Sequence, residues 1–234
     1  MNNFDALPLF PLDVVLYPEM PLPLHIFEPR YLEMVAHCRR HNTPFGVVLT
    51  PDQTLSDTQT LVSQVGTTAR IQQVEETDDG RLNIVVAGET RFRIAQISST
   101  ESYTTARVDP FWEHMTDPIL LKAPFDMVTG LFRTYLKSLF ALTHRTLSSL
   151  QLPLEPENLS YAIASVLQIP LSEKQKLLEL TTTEGRLSAE IEILRRELDA
   201  QVCLQEIQSQ RPECGPSVIE PVSVRDLNKL SSRN

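Results

Sequence analysis

Hydrophobic and polar residues alternate with two different periods along this chain, and the period changes once, after Asp109-Pro110. Before that point, apolar and polar residues alternate over short runs, as in β-strands. After it, apolar residues recur every three to four positions, as in amphipathic helices. The pattern predicts an α+β protein with a β-rich lobe over residues 1–110 and a helical lobe over residues 111–208. Prolines, serines and charges replace apolar anchors over residues 209–234, which we expect to be a flexible tail.

Residues 7–35 (LPLFPLDVVLYPEMPLPLHIFEPRYLEMV) organise the β-rich lobe because prolines divide them into short apolar runs. Proline lacks a backbone N–H, so it is confined to strand starts, strand edges and turns. We therefore predict a strand over residues 13–17, a turn over 18–21 and a second strand over 22–27. Pro29 is expected to start a helix, since proline is favoured at the first helical position.

The strands that follow carry two turn signals. Asp78-Asp79-Gly80 is typical of a hairpin turn because glycine tolerates positive φ, and Gly88-Glu89 predicts a second tight turn. The next strand is expected to alternate, with apolar side chains in the core and basic ones in solvent: Phe92 and Ile94 inside, Arg91 and Arg93 outside.

Net charge and cysteine content indicate which partners and which cellular compartment to expect for this protein. The 234 residues carry a formal net charge of -9, which disfavours nucleic acid and anionic membranes as partners. Three widely separated cysteines without a C-x-x-C motif indicate a reducing compartment. The N-terminus lacks the pattern of a signal peptide, and no apolar run reaches the ~20 residues of a membrane span. We expect a cytoplasmic protein.

Motifs of known catalytic or cofactor-binding chemistry are missing from the sequence. It contains no G-x-G-x-x-G, no P-loop, no G-x-S-x-G and no H-E-x-x-H. We therefore predict no catalytic residues, no cofactor and no metal site, and a protein that is not an enzyme.

One candidate binding surface follows the two predicted strands. Met20, Leu22, Leu24 and Tyr31 could line an apolar groove for extended polypeptide, with Glu28, Pro29 and Arg30 as its charged rim. The alternative for the rim, which we favour, is structural: an acid stabilises the positive end of a helix, and Arg30 is solvated.

Three other features have both a structural and a binding interpretation. Phe111-Trp112 either packs between the lobes, which is favoured, or exposes Trp112 as an anchor for a partner. Arg91 and Arg93 indicate a solvated face rather than a nucleic-acid track. Leucines and an isoleucine at 4-3-4 spacing favour a bundle core over a dimer zipper; they are Leu187, Ile191, Leu194 and Leu198.

Several segments carry a resemblance to a known protein family. They are the opening segment, FGVVL at 45–49, VGTTARI at 65–71, DDGRLNIVVAGETRFRI at 78–94, and the helical AIASVLQIPLSEKQKLLEL at 162–180 and GRLSAEIEILRREL at 185–198. In this order they resemble the N-terminal substrate-recognition domain of Lon-type ATP-dependent proteases. The resemblance covers residues 5–207. It implies a PUA-like, mostly antiparallel β-barrel lobe followed by a C-terminal helical bundle. It also implies recognition of unfolded or degron-bearing proteins.

The family's ATPase and protease modules have no counterpart in these 234 residues, so the resemblance implies a stand-alone member. We expect a non-enzymatic polypeptide-binding module, an adaptor or holdase whose partners are protein clients and an ATP-dependent protease. Docking of one specific folded partner is the alternative, and RNA binding a weaker one. The sequence leaves the clients and the oligomeric state open.

Overall fold

The predicted change from strands to helices is present in the computed structural model, which describes residues 4–50, 62–98, 102–142 and 151–209. One helix interrupts the strands, and four follow them. The elements, in order, are β1 Phe4–Leu12, β2 Pro21–Ile26, α1 Pro29–His41, β3 Phe45–Leu49, β4 Val65–Glu76, β5 Leu82–Ser98, β6 Thr105–Pro110, α2 Pro118–Leu142, α3 Pro156–Val166, α4 Leu171–Glu179 and α5 Thr183–Ser209. The α+β class is confirmed.

Strand β5 closes the sheet into a barrel because it pairs with β2 and β4 along its first part and with β6 along its last part. The closed ring runs β5–β4–β3–β1–β6 and back to β5, and β2 is attached outside it. Only the β1–β3 pairing is parallel among the described strands. The prediction of a mostly antiparallel barrel is confirmed.

Helix α1 supplies one side of the main apolar core. Its residues Met34, Val35 and Cys38 are almost fully buried against strand residues that include Phe10 and Phe45. A second cluster around Phe92 lies between β1, β3, β5 and β6. These clusters fix the strands and α1 with respect to one another, because packed apolar cores tolerate little displacement.

The predicted strand over residues 13–17 is wrong, since the first strand is the preceding proline-containing run, β1. Pro8 and Pro11 are accommodated in β1 opposite Thr105 and Val48. Residues 13–17 form an irregular segment whose last three side chains are buried. The Thr67 hydroxyl donates to the carbonyl of Leu16 at 2.6 Å, which satisfies a buried backbone group without a strand partner.

The two predicted turns have different outcomes. Gly80 has φ 77° in a hairpin turn, as expected. Gly88 lies within the continuous strand β5, so the second turn is wrong. A Cβ at Gly88 would lie 2.2 Å from the carbonyl oxygen of Tyr17, so glycine is required there for close approach of two backbones.

The chain divides into two compact units, of which the first ends at Arg196 and the second begins at Glu197. The first contains the barrel, helices α1 to α4 and about half of α5; the described part of the second is helical. The lobe boundaries at 110 and 208 stay a prediction, and residues 210–234 lie outside the described residues. Within the described ranges, no helix is both long and apolar enough to span a membrane.

Candidate functional site

The predicted groove residues lie on the core side of β2 and α1. Met20, Leu22 and Leu24 are half-buried and pack against the main core cluster. Tyr31 is buried, with its ring centroid 4.2 Å from that of Phe10. Each of these side chains therefore has a packing role, and a binding role for them stays a prediction.

The predicted charged rim forms a surface corner at the start of α1. Pro29 is the first residue of the helix, and Glu28 precedes it without a side-chain capping bond. The Glu28 carboxylate instead pairs with Arg30 at 2.7 Å. The Arg30 guanidinium lies 4.6 Å from the centre of the Tyr31 ring. Exposed pairs of this kind stabilise a fold by less than about 1 kcal/mol.

Strand β2 is a poor edge for the addition of a peptide strand. The N–H of Gly88 donates to the carbonyl of Met20 at 3.0 Å, and backbone groups alternate in direction along a strand. The outward backbone positions of β2 are consequently Pro21, Pro23 and His25. Two of these three have no N–H, which is a common protection of sheet edges.

Trp112 lies at the mouth of a cleft of about 730 Å³ between the barrel and the helices of the first unit. Its side chain is 62% exposed, so the favoured prediction of interlobe packing is wrong for Trp112. The other aromatic residues that line the cleft are Phe92, Phe111 and Tyr161. We call this cavity the Trp112 cleft.

The backbone around Trp112 is fixed by its neighbours on both sides. The N–H of Phe111 donates to the carbonyl of Arg91 at 3.0 Å, and the N–H of His114 donates to the carbonyl of Thr181 at 2.6 Å. Between them, the Glu113 carboxylate binds buried side chains. The exposed indole of Trp112 therefore projects from an ordered segment.

The Glu113 carboxylate holds two buried arginines together. It forms ion pairs with Arg91 and, at 3.0 Å, with Arg186, whose side chains are 2% and 0% exposed. The Glu113 side chain itself is 18% exposed. The hydroxyls of Thr183, at 2.7 Å, and Tyr161, at 3.3 Å, also donate to it. Burial raises the pKa of Tyr161 to about 12, so this hydroxyl remains a donor at neutral pH.

Arg91 is buried and joins the barrel to the helices, so the prediction that it lies in solvent is wrong. One guanidinium nitrogen donates to the carbonyls of Leu178, at 2.7 Å, and Leu180. Arg91 lies on the opposite side of β5 from buried Phe92, as alternation predicts, but the helical region covers that side. Arg93 is exposed, as expected. With Arg91 buried and paired, these two residues do not form a basic track for nucleic acid.

Four glutamates line the cleft, and sequence reasoning missed all of them: Glu19, Glu89, Glu113 and Glu157. Of these, Glu19 and Glu157 have no ion-pair partner among the residues that the structure describes. Glu19 has φ 62°, a left-handed conformation that costs a residue other than glycine roughly 1–2 kcal/mol. Burial, and then the nearby Glu113 carboxylate, raise the pKa of Glu157. Neither residue belongs to a motif, so only the three-dimensional arrangement reveals them.

Comparison with known proteins gives the family. A model of the ATP-dependent protease La (LON) substrate-binding domain matches residues 6–196. The chain belongs to this family. The predicted family resemblance is therefore confirmed, and it extends over the barrel and the helices of the first unit.

Members of the LON substrate-binding domain family with similar sequences include full-length proteases. Lon protease of Buchnera aphidicola subsp. Baizongia pistaciae is 28% identical over 204 residues, which are 85% of this chain and 26% of that protein. Lon protease of Escherichia coli K12 is 26% identical over 203 residues, 82% of this chain and 25% of that protein. The chain thus spans about a quarter of the length of these relatives.

Two solved structures share the fold. The Lon N-terminal domain protein from Xanthomonas campestris matches with a TM-score of 0.56 and 22% identity, over 89% of this chain and 100% of that one. The N-terminal domain of Mycobacterium avium complex Lon protease matches with a TM-score of 0.56 and 18% identity, over 82% and 98%. At these identities the likeness concerns the fold alone.

Proposed function

We propose that this chain is a non-enzymatic module that binds unfolded or degron-bearing polypeptides, as an adaptor or holdase that works with an ATP-dependent protease. The name of its family, a substrate-binding domain, supports this proposal. The observation that carries it is Trp112, an exposed indole held on an ordered segment at the mouth of a cleft. Tryptophan is enriched at binding hot spots, and a preorganised aromatic loses little entropy on binding.

The polypeptide binds by inserting its side chains into the cleft rather than by adding a strand to the sheet. The closed barrel and the prolines of β2 leave few unpaired backbone donors among the described strands. The Trp112 cleft, in contrast, offers a concave surface with aromatic and charged groups. Its volume lies in the range of roughly 300–1,000 Å³ that is typical of ligand sites. An extended polypeptide would insert side chains here.

The test is fluorescence anisotropy with a labelled, permanently unfolded polypeptide and the same polypeptide in its folded form. We expect saturable binding of the unfolded form only. A protein that bound neither form, or both equally, would contradict recognition of unfolded chains. Binding of neither form would instead favour docking of one folded partner. The exposed apolar residues Met115, Ile119 and Leu120, close to Trp112 in sequence, would then become the first candidates for that interface.

Two matched variants locate the binding surface. Trp112→Ala and Phe27→Ala each remove an exposed aromatic side chain, 62% and 59% exposed respectively. Phe27 precedes the corner of Glu28, Pro29 and Arg30, so its loss tests the surface predicted there. We expect Trp112→Ala to weaken binding at least about tenfold and Phe27→Ala to leave it unchanged. The reverse result would move the site to the β2–α1 corner.

A further inference from the structure

The charges that line the Trp112 cleft do not balance. Four glutamates and two arginines line it, which gives a formal net charge of -2. Arg70 pairs with Glu89, its second contact being at 3.3 Å. Arg91 pairs with Glu113, which also serves Arg186 beneath the cleft. Two of the four carboxylates are therefore already occupied by cations of the protein.

The remaining carboxylates, Glu19 and Glu157, have no ion-pair partner within the described ranges. Both side chains are exposed and both line the cleft. Partial burial raises the pKa of Glu157, because its charged form is poorly solvated. Neither carboxylate is neutralised by an ion pair within the described part of the protein, so both are available to an incoming cation.

The aromatic side chains of the cleft also differ in whether a cation of the protein already lies over the ring. Phe111 lies under two guanidinium groups, each 4.9 Å from its ring centre. Tyr161 has Arg186 at 4.1 Å. Trp112 has no cation over its ring in the part of the chain that the structure describes. Since tryptophan is the strongest aromatic partner for cations, its exposed face is an open position for one.

We propose that the Trp112 cleft selects extended polypeptide segments that carry arginine or lysine beside an apolar residue. The cation would lie against the face of Trp112 and close to Glu19 and Glu157. This inference rests on the proposed polypeptide-binding function and specifies which segments are bound. The net charge of -9 works in the same direction, because it attracts basic segments and repels acidic ones.

The experiment compares two labelled unfolded peptides, free of tryptophan, that differ only in one side chain. One contains arginine and the other citrulline, its uncharged analogue, between the same apolar residues. Dissociation constants are measured by anisotropy at low and high salt. We expect the arginine peptide to bind about tenfold more tightly at low salt, with a smaller difference at high salt.

Charge-matched variants attribute this preference to the cleft. Glu19→Gln combined with Glu157→Gln removes the two unpaired carboxylates. Glu75→Gln combined with Glu76→Gln removes the same charge from the exposed end of β4. We expect the preference for arginine to fall to about twofold or less in the first variant and to persist in the second.

The outcomes separate this inference from the proposed function. Equal binding of both peptides to the unmodified protein, with binding still weakened at least about tenfold in Trp112→Ala, would overturn the cation preference and leave the polypeptide-binding function intact. A preference that both double variants retain would also overturn it, since the cleft carboxylates would then play no part. Binding of neither peptide would contradict the function and the inference together.

Discussion

Replacing Glu113 by alanine is expected to destabilise the first unit strongly. Its carboxylate is the counter-charge of Arg91 and Arg186, whose side chains are 2% and 0% exposed. In the variant, hydrogen bonds to carbonyls and to Ser160 still hold these guanidinium groups in place, so two buried charges lose their partner together. Breaking a buried pair in this way costs about 3–5 kcal/mol, and we expect about 3 because Glu113 is partly exposed.

The matched control is Glu89→Ala. Glu89 also pairs with an arginine, but the side chains of Arg70 and Glu89 are 36% and 33% exposed. Such pairs contribute at most about 1 kcal/mol. Urea unfolding followed by circular dichroism gives the free energy of unfolding for each variant, with equal m-values as the condition for comparison. If both variants lost the same stability, the idea that Glu113 joins the barrel to the helices would fail.

Two further predictions concern buried positions. Gly88→Ala should lower the free energy of unfolding by about 1–3 kcal/mol, because the new Cβ would meet the carbonyl of Tyr17. The control is Gly130→Ala, which places a Cβ in open space on α2 and should be neutral or stabilising. Thermal unfolding compares the two variants. Glu190 is fully buried without a hydrogen-bond partner among the described residues, and burial raises its pKa well above the usual value. The folded state therefore binds the proton more tightly, so the free energy of unfolding should fall as pH rises from the ordinary glutamate pKa towards the raised one, by at most about 1.4 kcal/mol per pH unit. In urea unfolding, Glu190→Gln should show a flatter pH dependence and greater stability at neutral pH; an unchanged slope would contradict a raised pKa of Glu190.

Local rules account for the parts of the fold that were predictable. Pro29 begins α1 because its ring suits the first helical position, and Gly80 occupies a turn because it tolerates positive φ. The change of hydrophobic period separated the strands from helices α2 to α5. Each of these signals depends on a few neighbouring residues, so a short stretch of sequence is enough to predict the structure there.

The predictions that proved wrong concern residues whose structure depends on contacts with residues far away in the sequence. Gly88 lies within a continuous strand that pairs with β4, and glycine is required there because the backbone at Tyr17 lies against it. No local sequence pattern reveals that contact. Arg91 faces out of the barrel as predicted, but its partner Glu113 is 22 residues away, and Glu113 binds Arg186 73 residues further on. The exposure of Trp112 follows from bonds that its neighbours make to β5 and to the segment before α5.

The candidate site was predictable only in part. Trp112 could be named from the sequence as an anchor or as a packing residue, and its exposure supports the first role. The carboxylates of Glu19 and Glu157 become relevant only because the fold brings separate segments to one cleft. The binding role of the β2–α1 corner stays a prediction that Phe27→Ala tests.

Trp112 is the single tryptophan of the chain, so its emission reports directly on the proposed binding surface. The most direct test titrates the protein with an unlabelled, tryptophan-free unfolded polypeptide and follows the emission maximum. We predict a saturable blue shift, because binding removes water from an exposed indole, with the same dissociation constant as the anisotropy measurement. Saturating anisotropy without any change in Trp112 emission would show that the polypeptide binds elsewhere and would contradict this account.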